Sequence, residues 1–234
     1  MKLKTVGAYA RYLGLLVFFL LAGVTSMHAF GILDFGKTAS WKEEVLLHDG
    51  SKIIVNRWQK RGGRHEPGQE PGIAEQSLTF TLPGSKKTIS WRDEYSEDVG
   101  GANFHLVALH IINTIPYIIT TPAGCLAYNK WGRPDPPYVI FNHNGKEWKR
   151  INASELPKEF ANVNLVIGIV NEEEELVHRG FISAKKVSEF NSTLKQPEYK
   201  TILHSPMGGM SCPDWSSPRY TSPKAPFPIA PQND

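Results

Sequence analysis

Four turn signals divide the chain at nearly even intervals: Asp49-Gly50, Pro83-Gly84, Asn113-Thr114 and Asn144-Gly145. Measured between Gly50, Gly84, Asn113 and Gly145, the spacings are 34, 29 and 32 residues. Each turn lies between two short runs rich in apolar, β-branched or aromatic residues. A chain punctuated in this way predicts hairpins that follow one another in an antiparallel meander. Asp49-Gly50 and Asn144-Gly145 are both pairs that suit a type I′ turn, in which both central residues take positive φ.

The runs between the turns support strands. Val45-Leu46-Leu47 and Ile53-Ile54-Val55 flank the first turn within a hairpin over 41–55. Leu78, Phe80 and Leu82 alternate with Thr79 and Thr81, which marks one buried and one wetted face. Thr88 to Trp91 returns after Pro83-Gly84-Ser85. Phe104 to Ile112 and Ile115 to Thr121 are apolar nearly throughout, as strands covered on both faces are. Tyr138 to Phe141 and Glu147 to Ile151 flank Asn144-Gly145. A short helical pattern from Glu155 to Phe160 follows Ser154, and Asn164 to Val170 reads as a last strand. Ser183 is placed to cap a helix from Ala184 to about Leu194, with Val187 and Phe190 on its inner face.

The expected fold class is therefore mainly β: an antiparallel meander of hairpins forming a small sandwich, an open sheet or a partial-propeller-like sheet. It carries an N-terminal hydrophobic helix and a short C-terminal helix. The expected organisation is an exporting segment over 1–29, a β domain over 38–170, and an acidic loop plus helix over 171–204. Residues 205–234 form the last segment. They hold seven of the 17 prolines and few aliphatics, which predicts a Pro/Ser-rich disordered tail. The run Glu172 to Glu175 reads as a solvated acidic loop.

The N-terminus sets the expected address. Leu13 to Val24 is an uncharged run of twelve residues preceded by Lys2, Lys4 and Arg11. That arrangement suits a signal peptide, with Val24-Thr25-Ser26 and Met27-His28-Ala29 as cleavage tripeptides. The other reading is an uncleaved inner-membrane anchor over 12–33, whose upstream bases hold the N-terminus in the cytoplasm. Both readings export the remainder, to the periplasm or to an anchored position facing it. The formal net charge of +3 comes from those three bases; the other Lys and Arg equal the 23 acids in number. A neutral exported part gives no support for a nucleic-acid surface. Cys125 and Cys212 are the two cysteines, and an oxidising compartment allows them to pair. Two unpaired thiols, one on the tail, is the alternative.

Trp41 to Gly50, Gln59 to His65, Leu78 to Pro83, Trp91 to Asp98 and Gly124 to Tyr138 form five blocks. Together they resemble an uncharacterised family of bacterial exported proteins. The resemblance covers roughly residues 41–160. It implies a bacterial envelope location and carries over no assigned activity.

No strong catalytic motif is present: there is no G-x-S-x-G elbow, H-E-x-x-H, Walker A loop or paired C-x-x-C. His105 and His110 stand five apart on a predicted strand, and odd spacing sends them to opposite faces, which makes them poor partners for one metal. No metal site and no cofactor is expected. Lys60-Arg61-Gly62-Gly63-Arg64-His65 offers an anion cradle, because glycines let backbone N–H groups approach while Arg61 and Arg64 supply charge. The loop Tyr128 to Tyr138 is rich in proline and displays Tyr128, Trp131, Arg133 and Tyr138, side chains common at binding hot spots. The leading expectation is a non-enzymatic envelope protein that binds an envelope protein or glycan through this 128–138 loop. One alternative is a hydrolase or lyase acting on an envelope polymer through Asp93, Glu94, Glu97 or Asp98 with Arg61 or Arg64. A second is a purely structural or assembly role.

Overall fold

The computed structural model describes residues 38–167 and 179–215. The exporting segment, the Glu172–Glu175 run and the last 19 residues lie outside the described residues. Eight strands form in sequence order as two meanders of four. β1 (Thr38–Leu46), β2 (Lys52–Arg61), β3 (Ile73–Thr81) and β4 (Thr88–Asp93) make one sheet, each strand antiparallel to the next. β5 (Phe104–Ile112), β6 (Ile115–Pro122), β7 (Val139–His143) and β8 (Trp148–Ile151) make the other in the same manner. A two-residue strand, β9 (Phe181–Ile182), adds to the first sheet parallel to β1, giving the order β4-β3-β2-β1-β9. Among the options left open by the sequence, this is the sandwich.

The two sheets bury their facing sides against each other. Val45, Val55, Leu78, Phe80, Ile89 and Trp91 come from the first sheet; Phe104, Leu106, Leu109, Ile118, Val139, Phe141 and Trp148 come from the second. Burying aromatic and branched side chains of this size stabilises the sandwich by roughly 1.5–3 kcal/mol per side chain. The second sheet is covered on its other face too. Tyr117, Ile119, Tyr138 and Ile140 pack there under Leu156, Phe160, Ile167 and Ile202. This double cover explains why β5 and β6 are apolar nearly throughout. The far face of the first sheet is different. Its positions on β2, β3 and β4 alternate with the buried ones and carry mostly polar side chains, with Ile54, Trp58 and Ile73 as the apolar exceptions.

Turn chemistry differs from expectation in an instructive way. At Asp49-Gly50 and Asn144-Gly145 only the glycine takes positive φ, at 84° and 95°. These loops run to five and four residues between strand ends, 47–51 and 144–147. Longer loops build on ordinary type I geometry with one left-handed glycine. Asp49 and Asn144 act instead through their side chains, accepting the backbone N–H of Ser51 and of Lys146 and Glu147. The tight two-residue turn lies between β5 and β6. There Asn113 and Thr114 both adopt positive φ, 51° and 63°, as type I′ requires.

Two further expectations shift. The helical pattern after Ser154 is a single 3₁₀ turn, Ala153–Glu155, closed by Glu155 accepting from the Asn152 N–H and amide. Pro157 then prevents its continuation. The described part of the strand expected from Asn164 is irregular up to Ile167. Asn164 N–H and Leu165 N–H both reach Val107 C=O, and the Asn164 amide bonds Leu109 N–H, Leu109 C=O and Leu46 C=O in place of a regular ladder. The C-terminal helix, α2 in chain order after α1 (Cys125–Lys130), spans Ala184–Ser192. Ser183 accepts from Lys186 N–H at its start, and Val187 and Phe190 pack on Ala39, Trp41, Val166 and Ile182.

Candidate functional site

The aromatic loop is internal. Trp131 is 2% exposed and closes one end of the sandwich, its ring 4.5 Å from Phe104. Its indole N–H donates to Asn103 Oδ1 at 3.1 Å. Tyr128 and Tyr138 are equally buried. The Tyr138 hydroxyl lies within hydrogen-bonding distance of Glu198 C=O and Thr201 C=O and accepts from Leu203 N–H; burial pushes its pKa up. Arg133 stacks over Tyr128 at 4.9 Å and donates to Asn129, Pro213 C=O and Cys212 C=O. None of the three aromatic rings is displayed, so they hold the fold rather than offer a binding surface.

What covers this loop is the segment read from sequence as free tail. Cys125 and Cys212 form a disulfide. Asp135 accepts Met207 N–H and Gly208 N–H, and Asn129 donates to Pro213 C=O. A β-carbon at Gly209 would collide with the Tyr128 hydroxyl, which is why glycine lies there. Residues 205–215 are thus a strap tied to the 125–135 segment, whatever their proline content suggests.

The basic loop does not form an anion cradle. Gly62 N–H and Gly63 N–H both bond Gly72 C=O, and Arg64 N–H bonds Gly100 C=O. Arg61 turns inward at 4% exposure and reaches Pro71 C=O, while Arg64 is exposed. The backbone donors a cradle needs are already engaged, and one of its two arginines is buried while the other is exposed.

The carboxylates do not converge on a cleft either. Asp93 is buried and accepts four hydrogen bonds, from Asn103 N–H, Asn103 amide, Phe104 N–H and Gln76 amide. Those bonds favour the carboxylate, yet burial outweighs them and raises its pKa to about 6. Gln76 also donates to Phe104 C=O. Gln76, Asp93, Asn103 and Trp131 therefore form one buried network that fastens the end of β4 to the start of β5. Asp98 pairs with Lys130 at 3.0 Å, and Glu94 and Glu97 are exposed. A second buried polar group was not foreseen: Glu43 and Arg57 pair at 3.1 Å on the inner face, where Glu43 also accepts Trp41 Nε1–H and Val166 N–H. These contacts hold the 164–167 segment against β1.

His105 and His110 share a face after all. A β-bulge between Leu106 and Ala108 inserts one residue, so His105 pairs with Thr121 and His110 with Tyr117, four apart on β6. His110 stacks on Phe160 at 4.7 Å and contacts Asn162 C=O through Nε2. Among the described residues no group of three His, Cys, Asp or Glu could hold a metal ion.

Among the described residues, one shallow concavity lies on the far face of the first sheet. A groove of about 330 Å³ is lined by Ser40, Lys42, Asn56, Trp58, Ser77 and Thr79, with Gly180 at its border. Strand register builds it. Ser40, Trp58 and Ser77 face one another across β1, β2 and β3, with Arg92 next in that row on β4. Lys42, Asn56, Thr79 and Ser90 form the adjacent row. Trp58 is half-buried, an indole set among hydroxyls and an amide. Alternation placed Trp58 opposite the buried Arg57, a signal present in the sequence but hidden because Arg57 and Gln59 occupy the inward positions.

Comparison with known proteins gives no match to a family model, to a characterised protein or to a solved structure. Among the described residues no helix is long and apolar enough to cross a membrane.

Proposed function

We propose that the chain is an exported bacterial envelope protein whose sandwich is a non-enzymatic binding module, and that its ligand face is the outer face of the five-stranded sheet. The observation that carries this reading is the groove around Trp58. It combines one aromatic platform with unengaged polar groups on a rigid sheet, the composition of a recognition site. The basic n-region and apolar run at the N-terminus support export, and the Cys125–Cys212 disulfide fits an oxidising compartment. Among the described residues Asp93, Glu94, Glu97 and Asp98 do not converge on a cleft, which supports binding over hydrolysis.

Purified protein, incubated with isolated cell-wall sacculi and with total envelope polysaccharide, tests it by co-sedimentation. Wild type is expected in the pellet and Trp58→Ala in the supernatant, with the thermal midpoint of the variant within a few degrees of wild type. Equal pelleting of the two proteins overturns the reading of this face.

A further inference from the structure

The charges on the groove face are not evenly matched. Strands β1 to β4 present two acids there, Glu44 and Glu75. Both are already paired, Glu44 with Lys52 at 3.1 Å and Glu75 with Lys60 at 2.8 Å. The remaining cations of the face are Lys42 and Arg92. Both side chains are exposed, and neither makes an ion pair among the described residues. Lys42 lines the groove on the β1 side; Arg92 stands beside Ser77 on β4. They bracket Trp58 from opposite sides. β1 and β4 are three strand spacings apart, roughly 14 Å at the usual separation.

Hydroxyl and amide groups fill the space between. Thr79 and Ser90 hydrogen bond to each other at 2.9 Å. Ser40, Asn56 and Ser77 make no side-chain hydrogen bond among the described residues and present their polar atoms outward. A flat indole flanked by small hydroxyl and amide donors matches a ligand with an apolar ring face and polar edges. The two free cations at the margins add a demand for negative charge at both ends of that ligand.

We propose that the groove binds an acidic saccharide, an oligomer bearing carboxylates on successive rings. One ring stacks on Trp58, its hydroxyls meet Ser40, Asn56 and Ser77, and carboxylates on the flanking rings reach Lys42 and Arg92. A protein partner fits the groove less well, because interface centres are depleted of charge and Trp58 has free cations on both sides, while the exposed apolar side chains of this face, Ile54 and Phe181, lie outside the groove lining. The proposal rests on the reading of the groove as the ligand face.

Isothermal titration with tetragalacturonate, with its methyl ester and with monomeric galacturonate separates the two levels. The acidic oligomer is expected to bind, the neutral ester at least tenfold more weakly, and the monomer most weakly. Lys42→Ala and Arg92→Ala should each weaken the acidic oligomer about fivefold, as expected of exposed ion pairs. They should leave the ester unchanged. Raising the salt should erase the difference between acid and ester. Trp58→Ala should abolish binding of both, whereas Trp58→Phe, which keeps a ring, should retain part of it. Equal affinity for acid and ester, lost in Trp58→Ala, overturns the acidic ligand and leaves the groove reading standing. No binding of any of the three to wild type overturns the acidic saccharide, and the sacculus test then judges the face on its own.

Discussion

Trp131 illustrates how one residue can be read two ways from sequence and only one way in space. An aromatic residue in a Pro-rich loop has the composition of a binding hot spot, and composition says nothing about which way the indole points. In the fold it stacks near Phe104 and Phe141, Arg150 lies over its ring, and its N–H satisfies the buried Asn103. Truncation therefore removes packing and also leaves a buried amide oxygen without its donor. Trp131→Ala should lower stability by roughly 3–5 kcal/mol, the range for large aromatic truncations in cores. Urea unfolding measures this directly. A variant as stable as wild type would return Trp131 to the surface and revive the loop as a binding element. Trp58 is the counter-example: it alternates out of the core, so its truncation should cost little stability and much binding.

At the scale of elements, the hairpins were legible because period-two alternation and turn residues are local signals. The strand pairs of both meanders follow from them. The features that escaped were set by contacts far apart in sequence. The bulge in β5 adds one residue at Val107, and nothing local in Leu106-Val107-Ala108 announces it; yet it reverses the faces of everything beyond and brings His105 and His110 to one side. The strap over 205–215 escaped for the same reason. Its prolines and serines cannot form a core, but its backbone donors and acceptors are met by Asp135, Asn129 and Arg133, some eighty residues away. The disulfide fixes that encounter, closing a separation of 87 residues. Loop-closure entropy for a cross-link of this span is worth about 4–5 kcal/mol. Cys212→Ser should lose stability in that range and release the strap while the sandwich persists. Hydrogen exchange at Met207 and Gly208, whose N–H groups bond Asp135, should then accelerate strongly. Unchanged protection at those two amides would mean that polar contacts alone hold the strap.

For the whole molecule, two buried titratable groups on different layers push acid stability in opposite directions. His110 is fully buried; loss of hydration, with His48 adding to it, lowers its pKa to about 4 despite the bond to Asn162 C=O. Unfolded, it titrates near 6.5, so between these values the unfolded chain holds more protons and acidification destabilises the fold. The loss approaches about 3 kcal/mol once the pH falls below the folded value. His105 and His143, also lowered by burial, act in the same direction. Asp93 does the reverse. Its folded pKa of about 6 lies above the unfolded value near 3.8, so the folded chain holds more protons in that window and acidification relieves a buried charge. That gain is also about 3 kcal/mol, present in full below the unfolded pKa and lost as pH rises through 6. The two effects overlap between pH 4 and 6, where each masks the other. Urea midpoints measured from pH 7.5 to pH 4 should expose them separately. Asp93→Asn removes the stabilising arm, so its midpoint should fall with acid more steeply than that of wild type. His110→Asn removes part of the destabilising arm, so its midpoint should fall less steeply, or rise. Both variants will be less stable at every pH, since each breaks buried hydrogen bonds, which is why the slope and not the midpoint carries the test. Parallel profiles for all three proteins would show that neither group changes protonation on unfolding in this range, and that the acid response belongs to the other histidines and the surface carboxylates.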